Sequence, residues 1–395
     1  GFDTPNPNNQ LAMTMIDDFL TAGIEVYMVA SRRKKINPDI PDILKNREGF
    51  TYDIIDRPVV DKSHFVKRYL EEMTYAFKAM RKWRKQKDID IVHLQSCPTV
   101  LFSITLLKLF LRKPVVYSIF DVFPGSAYDI GVIKSKFIYN VLGLLQKPVY
   151  RMSTKIVVAC EDMKTKVIQL KIPEDKIRVI VNWYDDNSVI EVPMEENRFI
   201  KKYQIDTSKF YVQFAGTIGY VLDYKMIIQV AEMLINEPNI VFQIIGDGNV
   251  KEQFINEASE KGLSNIVFYP LQPLEIVPDV YSACSVCLIP LKKGVIGTGF
   301  PSKSALLMAC RRVVLNSVEE DSAYYRMFNE NNIGISISND SPEKVAKAIK
   351  YLYNNSEKVK EMAENAKVFG EKHFSRKINT VKFINVFKEL YTKKG

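Results

Sequence analysis

Two glycine turns, Phe214-Ala215-Gly216-Thr217-Ile218-Gly219 and Ile244-Ile245-Gly246-Asp247-Gly248, each close an apolar run and open a helical pattern, and they lie one strand-helix unit apart. That layout predicts a parallel sheet, because strands running the same way need a crossover helix between them. Glycine is required where backbone takes positive φ or approaches an anion closely, and the free N–H groups opening a helix can donate to a phosphate. A tight strand-to-helix connection without a ligand uses the same glycines. The turns therefore constrain the architecture and leave the function open.

The alternation extends in both directions. In the first half, residues 25–30, 90–94, 114–119 and 155–159 read as short buried strands separated by helical stretches. A second series runs through 211–215, 240–245, 266–269, 285–290, 313–316 and 333–337. Such a chain is α/β, with parallel sheets, right-handed crossovers and ligand sites at the carboxyl ends of the strands. A length of 395 residues is too great for one core, so two domains are expected, 1–190 and 191–374, joined through the charged, poorly periodic stretch 187–198. Residues 375–395 read as a long amphipathic helix beyond the second sheet, placed to reach back across the cleft.

Composition narrows the function classes. Hydrophobic residues make up 47% and charged residues 26%, the ordinary balance of a globular chain. No apolar run reaches the roughly 18–20 residues of a membrane span, and no secretory signal opens the chain, so a cytoplasmic workplace is expected. Five cysteines lie in apolar contexts, and Cys284 and Cys287 lack the second pair or histidine that a zinc site needs, so buried free thiols are expected. With only His64, His93 and His373, a histidine-built metal centre is not expected.

The net charge of +9 gathers in Lys62–Lys87 and again from Lys108 to Lys147. Between them, Leu101–Leu111 is apolar nearly all round, which suits a helix buried on a sheet or one laid on an anionic membrane. The basic, aromatic segment Ile133–Tyr139 adds weight to a membrane-facing patch. No DNA- or RNA-binding motif accompanies the charge, so nucleic acid is not an expected partner.

The order of motifs resembles the retaining GT-B glycosyltransferases of the family 4 type, especially bacterial enzymes of capsule, exopolysaccharide and colanic-acid-like synthesis. The resemblance covers nearly the whole chain. Pro7-Asn8-Asn9-Gln10, the helix to Leu20 and Ala22-Gly23-Ile24-Glu25-Val26 look like that family's acceptor-side loop, helix and strand. Asp121-Val122-Phe123-Pro124-Gly125-Ser126-Ala127 is similar to its D-L-W-P-E-S-A loop, and Val179–Asp185 to its V-I-x-N-W-x-D stretch. Ala215–Gly219, Gly246-Asp247-Gly248 and Phe300-Pro301-Ser302-Lys303 resemble its A-G-N-L-G, G-D-G and L-P-S-K motifs.

The resemblance implies two Rossmann-like domains facing across a cleft, with the C-terminal helix crossing back to the first. It implies a sugar moved from a nucleotide-diphosphate donor to a lipid-linked saccharide at the inner membrane face, by a hexosyltransferase with no metal or other cofactor. Gly216, Thr217, Gly219, Ser302 and Lys303 would surround the diphosphate, where cation and N–H donors stabilise the leaving charge. Gly246, Asp247, Gly248, Ile276 and Val277 would hold base and ribose. Asp121 would meet the donor sugar or the acceptor, or else serve as a turn residue before Pro124.

Several positions depart from the family pattern. Thr298 and Leu306 stand where it has two glutamates eight positions apart, the second bonding the ribose. Tyr220 replaces an arginine, Gly125 an acid, Arg311 a glycine and Val313 a proline. A catalytically silent GT-B partner subunit is the alternative these departures support. A sugar-nucleotide epimerase would need an acid and histidine constellation that is missing here. Gly1-Phe2-Asp3 falls where the family's first strand should just have ended, and a short apolar strand upstream is expected.

Overall fold

The computed structural model describes residues 7–33, 40–41, 43–58, 65–86, 88–97, 99–129, 131, 133–297 and 299–392. The first half runs α1 (Pro7–Thr21), β1 (Val26–Arg33), β2 (Phe50–Arg57), α2 (Phe65–Trp83), β3 (Val92–Gln95), α3 (Val100–Phe110), β4 (Val115–Ile119), α4 (Gly125–Asp129), α5 (Lys136–Met152), β5 (Lys155–Val158), α6 (Glu161–Gln169) and β6 (Ile177–Val179). Its strands form two parallel groups, β1-β2 and β3-β4-β5-β6. Every residue of β4 and β5 is buried, as expected of strands covered on both faces. The sequence reading lacked β2 and β6. Strand β2 is hidden by its polar residues: Ile55 and Arg57 are buried on one face while Thr51 and Tyr52 are exposed.

The second half runs α7 (Arg198–Tyr203), β7 (Phe210–Ala215), α8 (Tyr224–Met233), β8 (Ile240–Ile245), α9 (Lys251–Glu260), β9 (Ile266–Tyr269), α10 (Val277–Ser282), β10 (Val286–Pro290), α11 (Lys303–Ala309), β11 (Val313–Val318), α12 (Ala323–Glu330), β12 (Gly334–Ser338), α13 (Pro342–Asn354), α14 (Ser356–His373) and α15 (Arg376–Thr392). Its six parallel strands are ordered β12-β11-β10-β7-β8-β9. The chain thus winds outward from β7 through β9, returns to β10 beside β7, and winds outward the other way. Alternation of side chains along β7 feeds two cores: Val212 and Phe214 pack with α8, α9 and α13, while Tyr211 and Ala215 pack with residues of α7, α10 and α11.

The Leu101–Leu111 ambiguity is resolved for most of its length. Ile104, Leu106 and Leu107 of α3 are buried in the core with β3, β4 and β5, whereas Leu109 and Phe110 at its end are exposed. Cys160, Cys284, Cys287 and Cys310 are buried free thiols, as expected, but Cys97 is exposed because it stands in the loop after β3. Among the described residues no helix is long and apolar enough to cross a membrane.

Stretch 187–198 has no regular element before α7, yet it is fastened to the second domain. Val192 N–H donates to Ser282 Oγ at 2.9 Å, and Asn197 both caps α7 and donates to the Asp279 carbonyl at 2.8 Å. Arg311, at the family's glycine position, takes φ +55° just after α11 and pairs with Glu364 and Glu191. Those ion pairs accompany a left-handed backbone that glycine would adopt more easily.

Helix α15 packs on the first domain, not the second. Phe383, Ile384, Val386, Phe387 and Leu390 share a buried cluster with Met15, Phe19, Val116, Val157 and Trp183. The chain reaches α15 through a bridge between Tyr184 and Ser375, where Tyr184 N–H donates to Phe374 O at 3.1 Å and Arg376 N–H to Tyr184 O at 3.0 Å. Arg376 then holds α1, bonding Asp17 at 2.6 Å and Asp18 at 2.7 Å with its side chain only 11% exposed. Removing it would strip Asp18 of the guanidinium it pairs with and leave Asp17 to Arg47, at 3.2 Å, in a poorly solvated place. Arg376→Ala should lower unfolding stability by about 3 kcal/mol, read as a shift in the denaturant midpoint, with Arg376→Lys recovering part of the loss.

Candidate active site

Both glycine turns leave the carboxyl edge of the second sheet from neighbouring strands, and they pack backbone on backbone. Gly216 and Gly246 each take φ +146°, and Gly248 takes φ +157°. A Cβ on Gly246 would lie 1.9 Å from the Gly216 carbonyl oxygen, and one on Gly248 would lie 2.3 Å from that of Ile218. The close approach lets the turns bond: Gly216 N–H donates to Ile245 O at 2.9 Å, Ile218 N–H to Asp247 O at 2.9 Å and Val250 N–H to Ile218 O at 3.2 Å. Asp247 accepts from Gly248 N–H at 2.9 Å, and Lys251 Nζ donates to Gly246 O at 3.0 Å. Asp247 thereby holds its own turn while its side chain stays at the surface, and Thr217 is likewise exposed.

Lys303 comes to these turns from α11, which follows β10 on the other side of β7. Its Nζ stands 3.8 Å from the centre of the Phe214 ring, an ammonium-aromatic contact. The same Nζ would be 3.1 Å from a Cβ on Gly216. Gly216 therefore leaves the space that the ammonium fills. Burial lowers the Lys303 pKa to about 8, opposed only in part by Cys287, so the group is charged at neutral pH and loses its proton as pH rises through 8. Ser302 caps α11 without a side-chain bond to it and is exposed beside the lysine.

The remaining expected residues are less uniform. Ile276 and Val277 open α10 after β9, at the same sheet edge, half-buried against the second core. Leu306 is half-buried and packs on that core, with no carboxylate in its place. Thr298 lies outside the described residues.

The first domain presents its own carboxyl edge to this one. Asp121 follows β4 and forms an antiparallel bridge with Gly299, whose added Cβ would lie 3.1 Å from Asp121 Oδ1. Its side chain reaches solvent, and desolvation by the surrounding protein raises its carboxyl above the ordinary range. Two further acids here were missed from sequence. Asp162, opening α6 after β5, accepts from Ala323 N–H at 2.7 Å and Tyr324 N–H at 3.0 Å, so one domain caps helix α12 of the other. Glu319, just after β11, accepts from Gly294 N–H through Oε1, while Oε2 is buried without a hydrogen-bond partner among the described residues. Burial raises the Glu319 carboxyl. The available signal was position, since both acids immediately follow strands whose carboxyl ends form the cleft.

Comparison with known proteins follows this division. Residues 10–188 match the Glycosyltransferase Family 4 profile, and residues 195–369 match that of Glycosyl transferases group 1. The solved structure of Anabaena Alr3699/HepE in complex with UDP is similar at TM-score 0.72 and 13% identity, over 98% of this chain and 97% of that one. The chain is a group 1 glycosyltransferase of GT-B fold with a family 4-like first domain. A second GT-B likeness is sucrose-phosphate synthase from Thermosynechococcus elongatus, at TM-score 0.75 and 12% identity over 98% of this chain and 94% of that one. Among curated proteins, the probable glycosyltransferase WbjE of Pseudomonas aeruginosa is 26% identical over 296 residues, 74% of this chain and 73% of its own.

For this glycosyltransferase the laced turns can be tested directly. Gly246→Ala forces a methyl group into the Gly216 carbonyl, so at least one turn must move. It should lower stability by about 2–3 kcal/mol, whereas Gly262→Ala, with nothing within 4 Å of its added Cβ but φ +64°, should cost only about 1 kcal/mol. Thermal or urea melts of the two variants make the comparison.

Proposed function

We propose that the chain transfers a sugar from a nucleotide-diphosphate donor to a lipid-linked saccharide, with retention at the sugar carbon, in bacterial surface polysaccharide synthesis at the inner face of the membrane. The observation that carries this is Lys303: a partly desolvated ammonium held against Gly216 where the sheet reverses its winding order, opposite the edge that bears Asp121. Ligands of open α/β sheets bind at such a reversal. The UDP in the HepE complex and the assignment of WbjE as a transferase support the same reading.

In this reading the Lys303 ammonium and the backbone around Gly216, Thr217 and Gly219 take the diphosphate, with Ser302 beside it. They stabilise the charge that grows as the glycosidic bond breaks, work that needs no resident metal ion. The edge formed by Gly246, Asp247, Gly248, Ile276 and Val277 takes ribose and base. Asp121 meets the reacting sugar or the incoming acceptor hydroxyl. Its raised carboxyl leaves it readier to exchange a proton than an ordinary aspartate. A silent partner subunit is the second reading, favoured by Leu306 packing where the family's ribose-binding carboxylate would stand.

Lys303→Ala should reduce turnover roughly one hundredfold, the scale for loss of one preorganised donor, while Cys284→Ser leaves it nearly intact. Calorimetry with a panel of UDP-, GDP- and dTDP-sugars decides between the two readings: a wild type that binds none of them is the silent subunit. Because the charged lysine is the binding form, nucleotide-diphosphate affinity should be about tenfold weaker at pH 9 than at pH 7, following from the Lys303 pKa of about 8. An affinity constant across that range would contradict the lysine's role.

A further inference from the structure

Helix α5 turns an apolar face to water. Phe137, Ile138, Val141, Leu144 and Leu145 recur at the spacing of one helical face and are 76, 50, 39, 71 and 50% exposed. The opposite side, with Gln146, Val149 and Tyr150, is the one buried in the domain. Leu109 and Phe110, at the exposed end of the neighbouring α3, are 63 and 51% exposed. Contiguous exposed apolar surface of this extent on a globular domain calls for an apolar partner.

The charge around the strip identifies that partner. From residue 91 to residue 160 the only acids are Asp121 and Asp129, while Lys108, Arg112, Lys113, Lys134, Lys136, Lys147, Arg151 and Lys155 are basic. Lys155 is paired with Glu389 at 3.1 Å, but Lys134, Lys136 and Arg151 are exposed. Lys134 and Lys136 flank the start of α5, where the helix dipole disfavours cations, so the stability of the helix does not explain them. Anionic headgroups do. A second copy of the chain fits poorly, because strip against strip would bring these cations together without an intervening acid.

The other basic stretch is less available. Lys82 of α2 is paired with Asp53 at 2.8 Å, Arg81 lies over the Phe77 ring and Arg84 over the Phe110 ring. We propose that α5 lies in the plane of an anionic bilayer, its apolar strip at the acyl boundary and Lys134, Lys136 and Arg151 at lipid phosphates. This deepens the proposed transfer and rests on its acceptor being lipid-linked. Helix α4 follows the Asp121 loop directly, and its Tyr128 meets Tyr139 of α5 with ring centres 4.6 Å apart. A helix seated in the bilayer thus holds the Asp121 edge near the surface from which such an acceptor comes.

Flotation of the full chain with phosphatidylcholine vesicles, with and without one-quarter phosphatidylglycerol, tests the surface. Wild type should float with the anionic vesicles and release in high salt. Phe137→Ser/Leu144→Ser should weaken partitioning about tenfold or more, and Lys134→Glu/Lys136→Glu should abolish the preference for phosphatidylglycerol. Nucleotide-sugar binding should be unchanged in both, which also reports intact folding. Wild-type flotation by the serine variant overturns the proposal. So does a wild-type dimer in sedimentation that the serine variant dissociates. Donor binding without flotation rejects the membrane face and leaves the transferase reading standing, and flotation without donor binding does the reverse.

Discussion

The contact on which the cleft depends is the one between the Gly216 carbonyl and Gly246. Two adjacent parallel strands must turn into helices at the same level, and the turns meet with no side chain between them. That contact brings the peptide groups of both turns within bonding distance, opens the space for the Lys303 ammonium, and fixes where α8 and α9 begin. Larger residues would separate the turns, and the lysine would lose the wall it stands against.

The facing domain is positioned by polar contacts and not by a large apolar seam. Asp121 meets Gly299, Asp129 lies against Gly294, and Asp162 caps α12 across the cleft. Phe300 is the apolar counterpart, packing against the cores of both halves. Of these acids, Asp162 takes up the N–H groups that open a helix of the other domain. Such bonds exchange readily with water, which suits a cleft that must admit and release substrates.

The second sheet was legible strand for strand because its central strands β7, β8, β10 and β11 are buried on both faces, so nearly continuous apolar runs coincide with the elements, and the edge strands β9 and β12 keep short apolar runs of their own. The glycine turns and Lys303 were legible because local backbone demands write them into short motifs. Strand β2 was not, since exposed Thr51 and Tyr52 break any apolar alternation at its start and its buried Arg57 is balanced by Glu71 and Glu72 from α2, which no local pattern announces. Asp162 and Glu319 escaped for the same reason: their partners are N–H groups 161 and 25 residues away in the chain. The strip on α5 was half visible. Its segment Ile133–Tyr139 attracted notice as basic and aromatic, but only the fold shows that the apolar side faces outward.

The chain passes between the domains twice, at Tyr184 and at Ser375, and the two passages lie side by side, bonded to each other through Tyr184 N–H and Arg376 N–H. A single linker would let one domain swivel, twist and slide against its neighbour. Here two hydrogen bonds join the passages at a single bridge, so twisting or sliding one domain against the other would pull them apart. Opening about the paired passages is the motion that leaves both bonds whole.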